Sequence, residues 1–176
     1  MSKRESTLSF IPLLALLFSS TAVHAEKTLK AIIPWDGEGK VFRIDMDTIL
    51  FQGAFEGIIY VETSEGKLDE GFVMCPATQR LDIQTKATTG SGYCMITGSE
   101  GDTVFAKWSC SGKIGGCKGE LELTGGSGQF KGITGSSKLV VRSPLNVLAG
   151  DMGSGSVIRI ASGIALLPEL RYRIPQ

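Results

Sequence analysis

Two glutamates that alternate with leucines, Glu120 and Glu122, are the closest match in the sequence to an acid–base pair. On a strand they would share a face with their carboxyl groups about 6–7 Å apart, a separation that a glycosidase can use. Leu121 and Leu123 would then occupy the opposite, buried face. We therefore interpret the glutamates as part of a solvated surface rather than as a catalytic pair.

Other acidic pairs are equally weak signals for a metal. Asp45 with Asp47, and Asp36 with Glu38, could suggest calcium, but no D-x-D-x-D-G loop follows either pair. We interpret them as solvated strand faces, and the sequence predicts neither a metal site nor a cofactor.

The single histidine, His24, lies in a segment that we expect to be removed from the mature protein. Without an imidazole, Ser-His-Asp and Cys-His nucleophile systems are excluded, as are the common His-containing zinc and iron sites. No phosphate-binding G-x-x-x-x-G-K-[ST] loop and no G-x-S-x-G elbow occurs. The sequence therefore predicts no catalytic residue and favours a protein that is not an enzyme.

Four aromatic residues on predicted strands are the candidates for contact with a ligand: Trp108, Phe105, Tyr93 and Tyr60. A small β-barrel can have a filled interior or a cavity for one apolar molecule. Trp108, if it faces inward, would be either part of the core or the floor of a pocket.

The four cysteines, Cys75, Cys94, Cys110 and Cys117, predict two disulfides in an exported chain. Three pairings are open, and we favour Cys75–Cys94 and Cys110–Cys117 because each joins sequence neighbours across a turn-rich segment. A zinc site is the alternative, but the closely spaced C-x-x-C pairs that zinc usually requires are missing.

Residues 1–25 have the pattern of a cleavable signal peptide. Lys3 and Arg4 precede the apolar run Phe10–Phe18, and small residues lead to a cleavage site after Ala25. The run of about nine residues is too short to span a membrane, which takes about 20. We expect an exported protein, periplasmic or secreted, with no integral membrane span after removal of the signal.

The remaining 26–176 has the length of one domain. The formal net charge of the whole chain is zero, with 18 basic and 18 acidic residues. This balance provides no attraction to a phosphate backbone, so nucleic acid is not an expected partner. The oligomeric state is left open.

Short alternating runs separated by glycine-rich turns predict an all-β domain. One such run places Phe42, Ile44 and Met46 on a single face. Evenly spaced strands favour an antiparallel eight-stranded barrel of calycin-like type, which leaves no bare edge, over a sandwich. An outer-membrane barrel has a similar length but should carry more aromatic residues than the 7% found here. The predicted strands are 41–51, 54–63, 67–75, 80–87, 92–98, 103–110, 117–124 and 130–142, with a last apolar segment over 155–174.

The pattern G-x-F-x-G occurs twice, around Phe55 and around Phe130. Glycines on both sides of an inward aromatic residue let a strand bend sharply, so we interpret both copies as corners of a barrel.

The stretch Gly126–Gly135, together with Gly92-Tyr93-Cys94 and Gly101-Asp102, resembles a signature of small exported bacterial β-barrels related in shape to allene oxide cyclase and dirigent proteins. The resemblance covers 92–135 well and implies the barrel fold. It carries no catalytic residue. We expect a binding module for a small apolar ligand or a protein partner; the alternatives are a cyclase- or isomerase-type enzyme and a structural or assembly protein of the cell envelope.

Overall fold

The computed structural model describes residues 26–63, 66, 68–144 and 157–175, and the side chains of the last range from Ala161 onward. The predicted signal peptide, 1–25, lies outside the described residues. Eight strands and one 3₁₀ turn at Gly128–Phe130 make up the described secondary structure. The strands are β1 Lys27–Arg43, β2 Thr48–Glu62, β3 Leu68–Asp82, β4 Ala87–Gly98, β5 Thr103–Lys113, β6 Gly116–Gly126, β7 Thr134–Arg142 and β8 Val157–Arg173.

Every strand pairs antiparallel with the next, and β8 pairs back with β1 to close the barrel. The all-β, eight-stranded antiparallel barrel predicted from the sequence is therefore confirmed. The turns at 44–47, 83–86 and 114–115 lie at one end, which we call the open end. The first residues of β1, the last of β8 and the turn at 127–133 lie at the other, the packed end. No helix in the described part of the chain is long and apolar enough to cross a membrane.

The count of eight strands was right, but three assignments behind it were wrong. The predicted strand 41–51 spans the turn between β1 and β2, and most of β1 was missed. The segment 155–174, which was not counted as a strand, contains β8 and completes the barrel. The predicted strand 80–87 spans the turn between β3 and β4, which were already represented by 67–75 and 92–98. This extra strand and the omission of β8 left the total at eight.

The alternation of residues along the chain correctly predicted the inward-facing residues on β5 and β6. Val104 and Ala106 on β5, and Leu121 and Leu123 on β6, face inward and are buried. The face predicted for Phe42, Ile44 and Met46 was wrong: their exposed fractions are 37%, 52% and 85%. Val41, at the opposite parity, is buried, and the chain after Arg43 turns instead of continuing as a strand.

Both predicted disulfides are present, Cys75–Cys94 between β3 and β4, and Cys110–Cys117 between β5 and β6. All four cysteines are buried and belong to the main core cluster. The second bridge closes the hairpin whose tip is Ile114-Gly115, as the sequence indicated, and the positive φ of Gly115 suits this two-residue turn.

The packed end is filled by aliphatic side chains. Leu167 of β8 is fully buried, and Leu170, Leu123 and Ile133 are buried with it in the main core cluster. Phe130 packs against the same cluster from the 3₁₀ turn. The described core at this end is therefore built of apolar side chains.

The two copies of G-x-F-x-G have different structures. Phe55 lies within β2, whereas Gly128 to Phe130 form the 3₁₀ turn before β7, so the strand predicted over 130–142 begins at Thr134. This turn is held by Asp102, whose carboxylate accepts a hydrogen bond from the Gln129 backbone N–H at 3.0 Å. The Gly101-Asp102 and Gly126–Gly135 stretches thus meet at the packed end.

Candidate functional site

The inner wall of the barrel contains a row of residues with little or no side chain. Gly39 pairs with Gly53, Gly53 with Ala77, and Ala77 with Gly92, so the row crosses four strands at one level. Trp108 continues the same level on β5. Such a row leaves room that larger side chains from adjacent levels can enter.

Phe51 shows why this row excludes side chains. A Cβ on Gly53 would lie 2.6 Å from the Phe51 ring and would also collide with the Glu38 carbonyl oxygen. A Cβ on Gly39 would meet the same ring at 2.6 Å. The ring lies flat across the two glycines, so a larger residue at either position would displace the ring or separate β1 from β2.

Four aromatic rings form a connected group inside the barrel. The centroid of Phe55 lies 5.0 Å from that of Trp35, 5.6 Å from Phe51 and 6.2 Å from Trp108. The Trp35–Phe55 pair is edge-to-face, an arrangement favoured by the ring quadrupoles. We call these four residues the aromatic group.

A cavity of about 150 Å³ lies between the aromatic group and the open end. Its wall is almost entirely apolar and includes all four rings, aliphatic residues such as Val41, Leu81 and Leu139, and both disulfides. Residues 113–116, at the tip of the β5–β6 hairpin, border it at the open end. The barrel interior is therefore filled at one end and hollow at the other.

Gln79 and Thr88 place hydrogen-bonding groups in the cavity wall near the open end, where β3 ends and β4 begins. Gln79 Nε2 donates to Thr88 Oγ1 at 2.8 Å, and Thr88 Oγ1 in turn donates to the Arg80 carbonyl oxygen at 3.1 Å. Thr88 is 4% exposed. Its hydroxyl is thus saturated by the protein, whereas the carbonyl oxygen of the Gln79 amide has no hydrogen-bond partner among the described residues.

The structure separates the four aromatic residues proposed from the sequence. Trp108 faces inward and lines the cavity. Phe105 and Tyr93 lie on the outer face with exposed fractions of 44% and 69%. Tyr60 has the parity opposite to buried Ile59 and is directed outward. Tyr93 and Trp108 both border a second groove, which Phe105 and Tyr60 do not line. The four residues therefore do not form one site, and contact of a ligand with any of them stays a prediction.

The carboxylates considered for chemistry also lie outside the cavity. Glu122 is exposed on β6 and forms an ion pair with Lys107 at 3.0 Å. Glu120 shares its outward face. No group of three or more potential metal ligands occurs among the residues that the structure describes. The pair of glutamates therefore has the surface position that the alternation indicated.

Asp45, interpreted above as part of a strand face, caps the turn between β1 and β2 instead. Its Oδ1 accepts hydrogen bonds from the backbone N–H groups of Asp47 at 2.9 Å and Thr48 at 2.7 Å. Asp82 makes an equivalent contact with the Thr85 N–H at 2.7 Å in the turn between β3 and β4. Both carboxylates thus fix turns at the open end, close to the mouth of the cavity.

These hydrogen bonds predict an acid-sensitive open end. They lower the pKa of Asp45 below 3.8, chiefly through the Asp47 N–H, and that of Asp82 chiefly through the Thr85 N–H. Because both folded-state pKa values are depressed, the stabilisation is present above the unfolded pKa and is lost as the pH falls through the folded pKa. We expect the fall in Tm between about pH 5 and about pH 2.5 to be smaller in an Asp45→Asn/Asp82→Asn variant than in the unchanged protein. Equal falls in thermal scans would contradict this role.

Three of the four rings were missing from the sequence-based site. Trp35 was not singled out because most of β1 was not recognised. Phe51 was missed because the predicted strand 41–51 ran through the turn and assigned the even-numbered residues to one face. Phe55 was treated only as a barrel corner. The alternation Ala31, Ile33, Trp35 was the available signal for β1. Gln79 shares its parity with Cys75, so an inward disulfide implies an inward Gln79.

No protein-family model, curated protein or solved structure matches the chain.

Proposed function

We propose that this protein is an exported binding module that holds one small apolar molecule inside its barrel. The observation that carries the proposal is the cavity of about 150 Å³, part of whose wall is formed by the aromatic group. An apolar cavity of about this volume can bind a molecule the size of benzene, because no water is held there by hydrogen bonds. The predicted signal peptide and the two disulfides support export.

The size of the cavity limits the ligand class. Sites for drug-sized molecules usually enclose about 300–1,000 Å³, which is larger than this one. A single ring with one small substituent is the expected occupant. For so few atoms we expect a dissociation constant on the order of 0.1–1 mM, or about −4 to −5.5 kcal/mol.

Both tryptophans of the chain, Trp35 and Trp108, line the cavity, so tryptophan emission reports on its occupation. We expect toluene to change the emission of the folded protein saturably. The variant Ala165→Leu should weaken binding about tenfold or more, because Ala165 lines the cavity and the larger side chain fills part of it. The measurement is a fluorescence titration, repeated by calorimetry.

A matched control separates filling of the cavity from a general effect of leucine. Ala54 lies on β2 next to inward Phe55, so Ala54→Leu adds the same atoms on the outer face. This variant should bind toluene like the unchanged protein. Saturable binding that is unaffected by Ala165→Leu in a folded protein would overturn the proposed site.

The resemblance to allene oxide cyclase-like barrels suggests a cyclase- or isomerase-type enzyme as an alternative. Such chemistry would need an acid or base beside the ligand. Among the described residues that line the cavity, the one carboxylate, Glu56, and the one amine, Lys113, are both exposed at the surface. We therefore favour binding without catalysis.

A role in assembly is the second candidate, and the outer face of the barrel favours it. Ile58 pairs with Phe72 across β2 and β3, and Met95 with Phe105 across β4 and β5. All four are between 37% and 45% exposed. Exposed apolar groups often mark protein contacts. Size-exclusion chromatography with light scattering measures the molar mass of the mature chain and tests this candidate. An oligomer would support it, and a monomer at all concentrations would contradict it.

A further inference from the structure

We infer that the preferred ligand is an aromatic molecule with one hydroxyl group, which donates a hydrogen bond to the amide carbonyl oxygen of Gln79. This inference rests on the proposed function and specifies the chemical class of its ligand. The inference follows from the polar side chain of Gln79, which has no role in binding a purely apolar ligand.

The position of Gln79 is unusual for a glutamine. It lies on the inward face of β3, between Phe51 of β2 and Gly90 of β4 in the strand register. A Cβ on Gly90 would lie 3.2 Å from the Trp108 ring, so this ring covers the glycine beside Gln79. Gln79 therefore lies at the wall of the cavity, with an aromatic residue and a glycine as its register neighbours.

Thr88 fixes the orientation of this amide. The threonine hydroxyl donates its one proton to the Arg80 carbonyl oxygen and accepts a hydrogen bond from Gln79 Nε2. The amide nitrogen is thus anchored on the β4 side, and the carbonyl oxygen is left as an acceptor. No described side-chain nitrogen or oxygen is both buried and unpartnered, so this oxygen is not sealed inside the protein. Gln79 itself lines the cavity, which makes the oxygen the acceptor that a ligand there could reach.

A hydrogen-bond acceptor held in a fixed orientation in an apolar wall favours a ligand that carries a hydrogen-bond donor. Phenol and toluene have nearly the same shape and differ only in a hydroxyl against a methyl group. Water solvates phenol better, so an apolar cavity without an acceptor prefers toluene. With Gln79 as acceptor, the hydrogen bond offsets the desolvation of the hydroxyl and leaves no polar group unpaired.

The test compares 4-fluorophenol with 4-fluorotoluene by ¹⁹F NMR titration of the folded, oxidised protein. We expect the phenol to bind about fivefold tighter or more. In the Gln79→Met variant the preference should reverse in favour of the toluene. Thr88→Val, which removes the anchor but keeps the amide, should reduce the preference without reversing it.

Gln52→Met is the matched control, because Gln52 is exposed on the outer face of β2. It should keep the preference for the phenol. If 4-fluorotoluene binds at least as tightly as 4-fluorophenol to the unchanged protein, the inference is wrong and the proposed function stands. If neither compound binds, the proposed function itself fails. The comparison on the unchanged protein decides the question even if Gln79→Met does not fold.

Discussion

Replacement of all four cysteines by alanine is expected to lower the free energy of unfolding by about 5–6 kcal/mol, which is comparable to the whole stability of many domains. Each bridge restricts the unfolded chain by closing a loop. The sequence separations are 19 for Cys75–Cys94 and 7 for Cys110–Cys117. On the chain-entropy relation these separations correspond to about 3 and about 2.5 kcal/mol.

Urea denaturation of the two pairwise variants and of the fourfold variant measures these contributions. The two bridges close loops that do not overlap in the sequence, so their effects on the unfolded chain should add. Because all four cysteines line the cavity, the Cys75→Ala/Cys94→Ala variant should also bind toluene more weakly. A fourfold variant that loses less than about 1 kcal/mol would contradict the stabilisation expected from restriction of the unfolded chain by the bridges.

The substitution Leu167→Ala is expected to cost about 2–5 kcal/mol of unfolding free energy, the second-largest effect. Leu167 has an exposed fraction of 0% and is one of the two largest fully buried side chains among the described residues. Removal of its side chain leaves a void in the packed end, where Leu170 and Ile133 are also buried. The lost contacts are not replaced by water in such a void.

The adjacent Leu166→Ala variant is the natural control, since Leu166 is 38% exposed on the outer face of the same strand. It should cost less than about 1 kcal/mol. Toluene binding should survive Leu167→Ala in the folded protein, because Leu167 does not line the cavity. Equal losses for the two variants would contradict the division of the barrel into a packed and a hollow half.

The sequence was informative where a local pattern decides the structure. On β5 and β6 the alternation gave the correct inward residues, because each strand has one apolar and one polar face. The hairpin tip at Ile114-Gly115 and both disulfides could be predicted since they join near neighbours in the chain. These features depend on few residues and short separations.

Contacts between residues far apart in the sequence could not be predicted, for a physical reason. On β1 the inward positions 37 and 39 are glycines, so the apolar alternation is interrupted in the middle of a strand. Their role depends on pairing with β2, which places Phe51 over Gly39 and Phe55 over Gly37. No pattern within either strand reveals that a ring from one will cover a glycine of the other.

The cavity could not be predicted because it results from register. Gln79 lies beside Gly90 only in the observed pairing of β3 with β4, and a slip of one residue would direct it to solvent. The sequence left two alternatives open for an inward Trp108: part of the core or the floor of a pocket. In the structure it serves both, since it packs against the core and lines the cavity.

The pairing of β1 with β8 has a practical consequence for engineering. Lys27 lies opposite Tyr172, so the two ends of the barrel strands sit side by side, at the opposite end from the mouth of the cavity. Ligand entry would stay unobstructed if a tether, a fluorophore or an immobilising tag were attached at either place. A short linker that joins these two places would allow circular permutation, with the new chain ends in the hairpin turn at 99–101. Such a permuted barrel could serve as a scaffold for a ligand sensor.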